Sequence, residues 1–106
     1  DGTGVRDYIH VNDLATAHVK AINYIYEQNK DLTLNLATGN GYSVLEIIQK
    51  AIEITGRNIS YEIVGRRDGD PAKVVAISKN AEEILDWRAE YSELDTLIHS
   101  AWKVYQ

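Results

Sequence analysis

Apolar residues recur along this chain with two different periods, and the changes of period divide it into elements. Val5 to Val11 alternates and predicts a short extended segment. Leu14, Ala17, His18, Ala21, Ile22 and Ile25 then recur at helical spacing as far as about Glu27, with Asn12 or Asp13 placed to cap the first turn. This spacing reads His18 as a hydrogen-bonded histidine on the buried face. Leu32 to Ala37 is short, apolar-rich and bounded by turn residues, which predicts a strand. The turn Thr38-Gly39-Asn40-Gly41 follows.

Ser43 and Glu46 have the spacing of a capping box, in which each side chain bonds the other's backbone N–H. Behind them Val44, Ile47, Ile48, Ala51, Ile52 and Thr55 form a helical face that Gly56 closes. Ile59 to Val64 alternates and predicts a half-buried strand; Gly65 to Pro71 is a charged, glycine-bearing loop. Val74 to Ile77 is a brief apolar stretch. Ser78 then caps a small helix to Leu85, and Ser92 caps a last helix carrying Leu94, Leu97, Ile98, Ala101, Trp102 and Tyr105 on one face. The order is β-α-β-α-β-loop-α-α, an α/β unit of one domain spanning residues 1–106.

Composition narrows the chemistry. With 106 residues the chain supports one modest core, and Trp87 and Trp102 are placed to anchor it. No cysteine is present, which removes disulfides, thiolate metal sites and a thiol nucleophile. A net charge of -5 argues against nonspecific nucleic-acid or anionic-membrane binding, and no apolar run has membrane-spanning length. His10, His18 and His99 lack ligand spacing, so no metal site is expected. The chain has no methionine and opens on the loop-like Asp1-Gly2-Thr3-Gly4, which reads as a segment of a longer protein.

Against this acidic background, Arg6, Arg66 and Arg67 all lie in or beside glycine-containing segments. Guanidinium groups offer forked donors that suit phosphate oxygens, and glycine lets a ligand approach the backbone. A bound diphosphate is one reading; the other is a charged turn in which Arg66 and Arg67 pair with Asp68 and Asp70. Tyr26 and Lys30 have the Tyr-x3-Lys spacing of an acid–base pair, but they fall at a polar helix end with no dinucleotide fingerprint before them. That spacing reads as coincidence.

Two motifs carry more than composition does. Asp1-Gly-Thr-Gly-Val-Arg-Asp-Tyr-Ile-His-Val-Asn-Asp-Leu-Ala, continuing to Ala17-His18, resembles a signature of the UDP-glucose 4-epimerases, NAD-dependent members of the extended short-chain dehydrogenase family. Gly65-Arg-Arg-Asp-Gly-Asp-Pro-Ala and the stretch from Ala76 to Trp87 resemble that family's second sugar-nucleotide loop. Asn35 to Val44 and the closing Ala101-Trp102 helix fit between and after them, so the resemblance covers the whole chain in order. Asp86-Trp87-Arg88-Ala89 departs from the family's usual Gly-Trp-x-Pro.

The resemblance implies the C-terminal, substrate-binding part of that fold without its Rossmann domain, on which residues 1–41 would pack. It implies that Arg6 and Arg67 meet the diphosphate of a UDP-sugar, that Tyr8 is the nearby tyrosine of the same UDP-sugar-binding motif, and that Asp70 accepts from ribose hydroxyls. Val74 would lie near the sugar, where its modest size leaves room for an N-acetyl group. No catalytic residue is expected among these 106. NAD is expected in the parent enzyme, bound by the N-terminal domain, and no cofactor on this segment alone. The parent would be a cytoplasmic homodimer; this chain alone would be inactive and self-associating. Two alternatives stay open: a segment of another sugar-nucleotide-modifying enzyme of the same family, or a non-catalytic binding module.

Overall fold

The computed structural model describes all 106 residues. Its elements are β1 (Val5–Arg6), α1 (Val11–Gln28), β2 (Tyr42–Ser43), α2 (Val44–Thr55), β3 (Lys73–Val74), α3 (Lys79–Leu85) and α4 (Leu94–Lys103). The expected β-α-β-α-β-α-α order is present, but two of its strands are built from other residues than predicted. β1 is central, antiparallel to β2 (Val5 opposite Ser43, Arg6 opposite Tyr42) and parallel to β3 (Val5 opposite Lys73, Arg6 opposite Val74).

Leu32–Ala37 is not a strand of this sheet. No residue in it makes a backbone hydrogen bond within the chain. The segment is nonetheless extended: Leu32, Leu34 and Leu36 lean on the core while Thr33 and Asn35 face outward. What the segment lacks is a neighbour, because a strand is defined by its partner as much as by its pattern. Ile59–Val64 lacks a partner too, and it is exposed throughout, so the expected half-buried side is absent. Of the extended Val5–Val11 segment only Val5 and Arg6 pair.

α2 forms as its sequence dictates. Ser43 Oγ accepts from Glu46 N, Glu46 Oε1 accepts from Ser43 N, and Gly56 ends the helix at φ 68°. These bonds to Ser43, backbone first, hold the Glu46 carboxyl below its ordinary value of 4.5. α1 departs from expectation at its start. Its cap is His10, whose Nδ1 accepts from Asn12 N while Nε2 meets Ser100 Oγ at 2.8 Å. Asn12 and Asp13 fall inside the first turn instead. Asn29, at φ 52°, closes the helix before Lys30, so Tyr26 and Lys30 do not share one helix. His18 is exposed, bonding Leu14 O one turn back, which corrects its placement on the buried face.

The core is small. Ala17, Ala81, Leu85 and Trp87 are its buried centre, with Ile9, Ala21, Tyr24, Leu32, Leu34 and Leu36 against it. Asp13 is 1% exposed and organises this end of the molecule: its carboxylate accepts from Glu90 N, Tyr91 N and Ser92 Oγ. Its carbonyl accepts from the Trp87 indole N–H at 3.0 Å. Ser92 therefore serves Asp13, and Glu93 stands at the cap of α4 without a side-chain bond. Ser78 stands at the cap of α3, also without one. At the other end α4 lies on α2, tied by Lys50, whose ammonium meets Asp95 (3.1 Å) and Glu53 (3.3 Å). Those two partners raise its pKa above 10.5. Trp102 is half-buried there, under the Arg57 guanidinium.

The whole is a slab of 50 × 37 × 16 Å with a radius of gyration of 16.6 Å. A compact chain of this length has about 13 Å. The excess reflects a single layer with little on either side of it. No helix is long and apolar enough to cross a membrane.

Candidate functional site

The turn chemistry of the charged loop brings three of the sequence-predicted residues together. Gly69, at φ 75°, allows the tight turn in which Asp70 N bonds Arg67 O. The same turn carries the Asp70 carboxylate back to the sheet, where it meets Arg6 at 2.9 Å across a sequence separation of 64. Arg67 approaches the other oxygen of Asp70 at 3.9 Å and is otherwise exposed. Arg66 turns away and donates to Gly2 O at 3.0 Å. The charged-turn reading is thus only partly met, since Arg66 pairs with backbone and Asp70 joins the loop to β1.

Arg6 is held on two sides, donating also to Val5 O at 2.8 Å, and it keeps further guanidinium donors to spare. Gly4 packs closely against it: a Cβ at that position would lie 3.3 Å from Arg6 Nη1, and the guanidinium would have to yield by a few tenths of an ångström. Gly41 makes a closer approach. A Cβ there would stand 2.6 Å from Val5 Cγ1 and 2.8 Å from Val75 Cγ2, so the β1–β2–β3 junction closes only around glycine.

Beside this cluster runs a cleft of about 290 Å³. Gly2, Thr3 and Gly4 form one wall, the first turn of α2 the floor, and Tyr61 to Arg67 with Asp70 the other wall. The first amide groups of α2 are already bonded, to Gly4 O, Thr3 Oγ1 and Ser43 Oγ. Positive charge at the cleft therefore comes from its arginines.

The other two predicted residues lie elsewhere. Val74 is the ladder neighbour of Arg6 on β3, half exposed, and does not line the cleft. Tyr8 lines a separate apolar groove of about 350 Å³ between α2 and α4, with Ile9, Ile47, Leu97 and Trp102. The chain leaves the sheet after Arg6, so the alternation that would keep Arg6 and Tyr8 on one face ends between them.

Sequence reasoning passed over Asp7, which sits between these two. Its carboxylate accepts from Thr38 N, Thr38 Oγ1 (2.7 Å) and Gly39 N (3.0 Å), clamping the turn before β2 to the end of β1. The signal was available: an acidic residue inside the Arg-Asp-Tyr run and a distant Thr-Gly-Asn-Gly turn with free amide groups. What the cluster can do chemically is bind an anion with two arginines and accept hydroxyl donors at a carboxylate. It holds no acid–base pair and no nucleophile.

No protein-family model matches the chain. Among curated proteins it is 42% identical over 106 residues to a UDP-glucose 4-epimerase of Lacticaseibacillus casei, covering 100% of this chain and 32% of that protein. The crystal structure of UDP-glucose 4-epimerase from Stenotrophomonas maltophila, with bound NAD and formylated UDP-arabinopyranose, superposes with a TM-score of 0.90 at 48% identity. That match covers 97% of this chain and 30% of the other. The enzyme from Bifidobacterium longum in complex with NAD+ and UDP gives a TM-score of 0.83 at 43% identity, over 100% and 32%. The chain spans about a third of the length of these relatives. Over its whole length, in sequence and in fold, this chain is similar to the C-terminal third of the UDP-glucose 4-epimerases.

Proposed function

We propose that these 106 residues are the sugar-nucleotide-binding part of a UDP-glucose 4-epimerase, an NAD-dependent isomerase acting through a transient 4-keto sugar. The observation that carries this reading is the cluster of Arg6, Arg67 and Asp70, drawn together from two distant segments beside a cleft that Arg67 and Asp70 line. Arg6 and Arg67 neutralise the diphosphate. Asp70 holds Arg6 in place before the ligand arrives and accepts from the ribose hydroxyls afterwards. Pre-pairing matters because an arginine already ordered loses less side-chain freedom on binding.

Tyr8 is assigned to the UDP-sugar site and Val74 to the sugar by resemblance. Val74 leaves room for an N-acetyl substituent, so the parent enzyme turns over UDP-N-acetylglucosamine as well; failure to do so while handling UDP-galactose overturns that assignment. Nothing in this chain fits NAD: no segment carries a glycine-rich dinucleotide fingerprint. No hydride or proton step is assigned to its residues. In the longer protein, residues 1–41 pack on the nucleotide-binding domain and the enzyme works in the cytoplasm as a homodimer.

The direct experiment is calorimetric titration of this chain with UDP and with NAD. UDP binds weakly and saturably, Arg6→Ala and Arg67→Ala each weaken it at least tenfold, and NAD gives no saturable heat. Saturable NAD binding, or UDP binding indifferent to both substitutions, overturns the proposal.

A further inference from the structure

Two side-chain bonds join the segment around β1 to the charged loop. Arg66 donates to Gly2 O at 3.0 Å, and Arg6 donates to the Asp70 carboxylate at 2.9 Å. Both links span the same sequence separation, 64 residues. Residues 2–6 and 66–70 therefore run side by side in one direction, with a rung at each end. The parallel pairing of β1 with β3, Val5 opposite Lys73 and Arg6 opposite Val74, carries that direction onward.

The rung at Arg66 ends on backbone that is itself tied down. The Asp1 carboxylate accepts from Thr3 N, Thr3 Oγ1 and Ser43 Oγ. Thr3 Oγ1 accepts from Leu45 N, and Gly4 O accepts from Val44 N. Residues 1–4 are thus bonded along the first turn of α2, and Gly2 sits among them at φ 85°, a conformation that favours glycine. Its carbonyl is a fixed acceptor for a long side chain arriving from the opposite wall of the cleft. Arg67 lies between the two rungs. Its side chain is 86% exposed and reaches only Asp70, at 3.9 Å. Neighbouring arginines therefore differ in what they can do, since one is engaged with backbone and the other is open to an anion.

We propose that Arg66 is a positioning residue of the sugar-nucleotide site. Its bond to Gly2 O fixes the loop at the end that Asp70 does not hold, and so presents Arg67 to the diphosphate without touching the ligand. The inference rests on the reading of Arg67 as a diphosphate contact. A loop pinned at one end lets an exposed side chain swing with the backbone; pinned at both, only the rotamers of Arg67 remain to be ordered. Removing backbone freedom before the ligand arrives lowers the ordering cost of binding.

NMR titration of the chain with UDP, with amide exchange read on the same samples, tests this. Arg66 is on the surface, so Arg66→Ala keeps its helical circular dichroism. Without ligand, that variant exchanges the Asp70 amide, whose bond to Arg67 O closes the turn, about fivefold faster while the α2 amides keep their rates. With UDP, Arg66→Ala raises Kd about fivefold, whereas the same change in an Arg67→Ala chain alters Kd by less than about twofold, because the group it positions is gone. Arg66→Lys, which keeps a donor at the end of a long stem, recovers most of the loss. An equal loss with and without Arg67 means that Arg66 meets the ligand itself and overturns the proposal. So does wild-type affinity or wild-type Asp70 exchange in Arg66→Ala, or a lysine variant no better than alanine. A wild-type chain that does not bind UDP overturns the sugar-nucleotide reading instead, and exchange at Asp70 then decides whether Arg66 holds the loop.

Discussion

Replacing Asp13 by Asn tests whether one buried carboxylate holds the α1 end of the molecule together. The side chain is 1% exposed and takes donors from Glu90 N at 2.8 Å, Tyr91 N at 2.9 Å and Ser92 Oγ. Glu90 N bonds one carboxylate oxygen and the other two donors share the second, so an Asn oxygen satisfies only one set. Its NH2 must then face an N–H, leaving buried donors without acceptors. A hydrogen bond to a charged group contributes about 1.5–3 kcal/mol, and an orphaned buried group costs about 1–3 kcal/mol. Allowing for relaxation, Asp13→Asn costs about 3–4 kcal/mol. A chain this long and this thinly buried sits near the low end of ordinary stabilities, about 5 kcal/mol.

The variant would retain about 1–2 kcal/mol, enough to fold at 25 °C but with a midpoint about 15–25 °C lower. Urea denaturation followed by tryptophan fluorescence, at one fixed protein concentration, measures it. Trp87 reports directly, since its indole bonds the Asp13 carbonyl. Asp31→Asn, an exposed carboxylate, is the control and should move stability by no more than about 0.5 kcal/mol. A loss below about 1 kcal/mol in Asp13→Asn would show that the 90–92 loop holds its position without the carboxylate, and the reasoning would fail.

Three further substitutions have defined outcomes. Glu46→Gln keeps the capping acceptor but removes the charge. Because the folded carboxyl is held below 4.5, its contribution is present above that value and lost as pH falls through the depressed one. The variant should therefore show a shallower loss of stability in that acid range, and an unchanged slope would contradict the capping-box geometry. Gly41→Ala drives a methyl into Val5 and Val75 and should cost about 1–3 kcal/mol by thermal denaturation; a neutral result would mean the strands separate freely. Asp7→Ala releases the 38–39 turn, costs about 1–2 kcal/mol, and weakens UDP binding in calorimetry where Asp31→Ala does not.

How much of this was legible depends on whether the information was local. α2 announced both of its ends, because a capping box and a terminal glycine act within a few residues. β2 and β3 did not, because two-residue strands have no period, and their pairing is decided by what β1 brings beside them. Leu32–Ala37 and Ile59–Val64 erred the other way: an apolar-rich run in the first and alternation in the second suggested strands, and neither signal carries information about neighbours. His10 was missed as a cap because an imidazole ring stands where a hydroxyl or carboxamide is usual, and Asn12 or Asp13 was expected there instead. At the site, the residue types in Arg6, Arg67 and Asp70 pointed to diphosphate chemistry. Only the folded chain could say that Arg6 and Asp70 touch while Tyr8 faces another groove.

The two-residue strands also make the molecule jointed. One end is α1 with α3 and the 87–92 loop; the other is α2 with α4. Between them run a narrow ladder, the Asp7 clamp and the His10–Ser100 bond. So slender a waist lets each end open with its own free energy, and hydrogen exchange should resolve two protection classes. Arg6, on β1, and Asp70, in the loop before β3, meet at that waist. A ligand gripped by both would act as a splint, merging the two openings into one and turning recognition into stiffness.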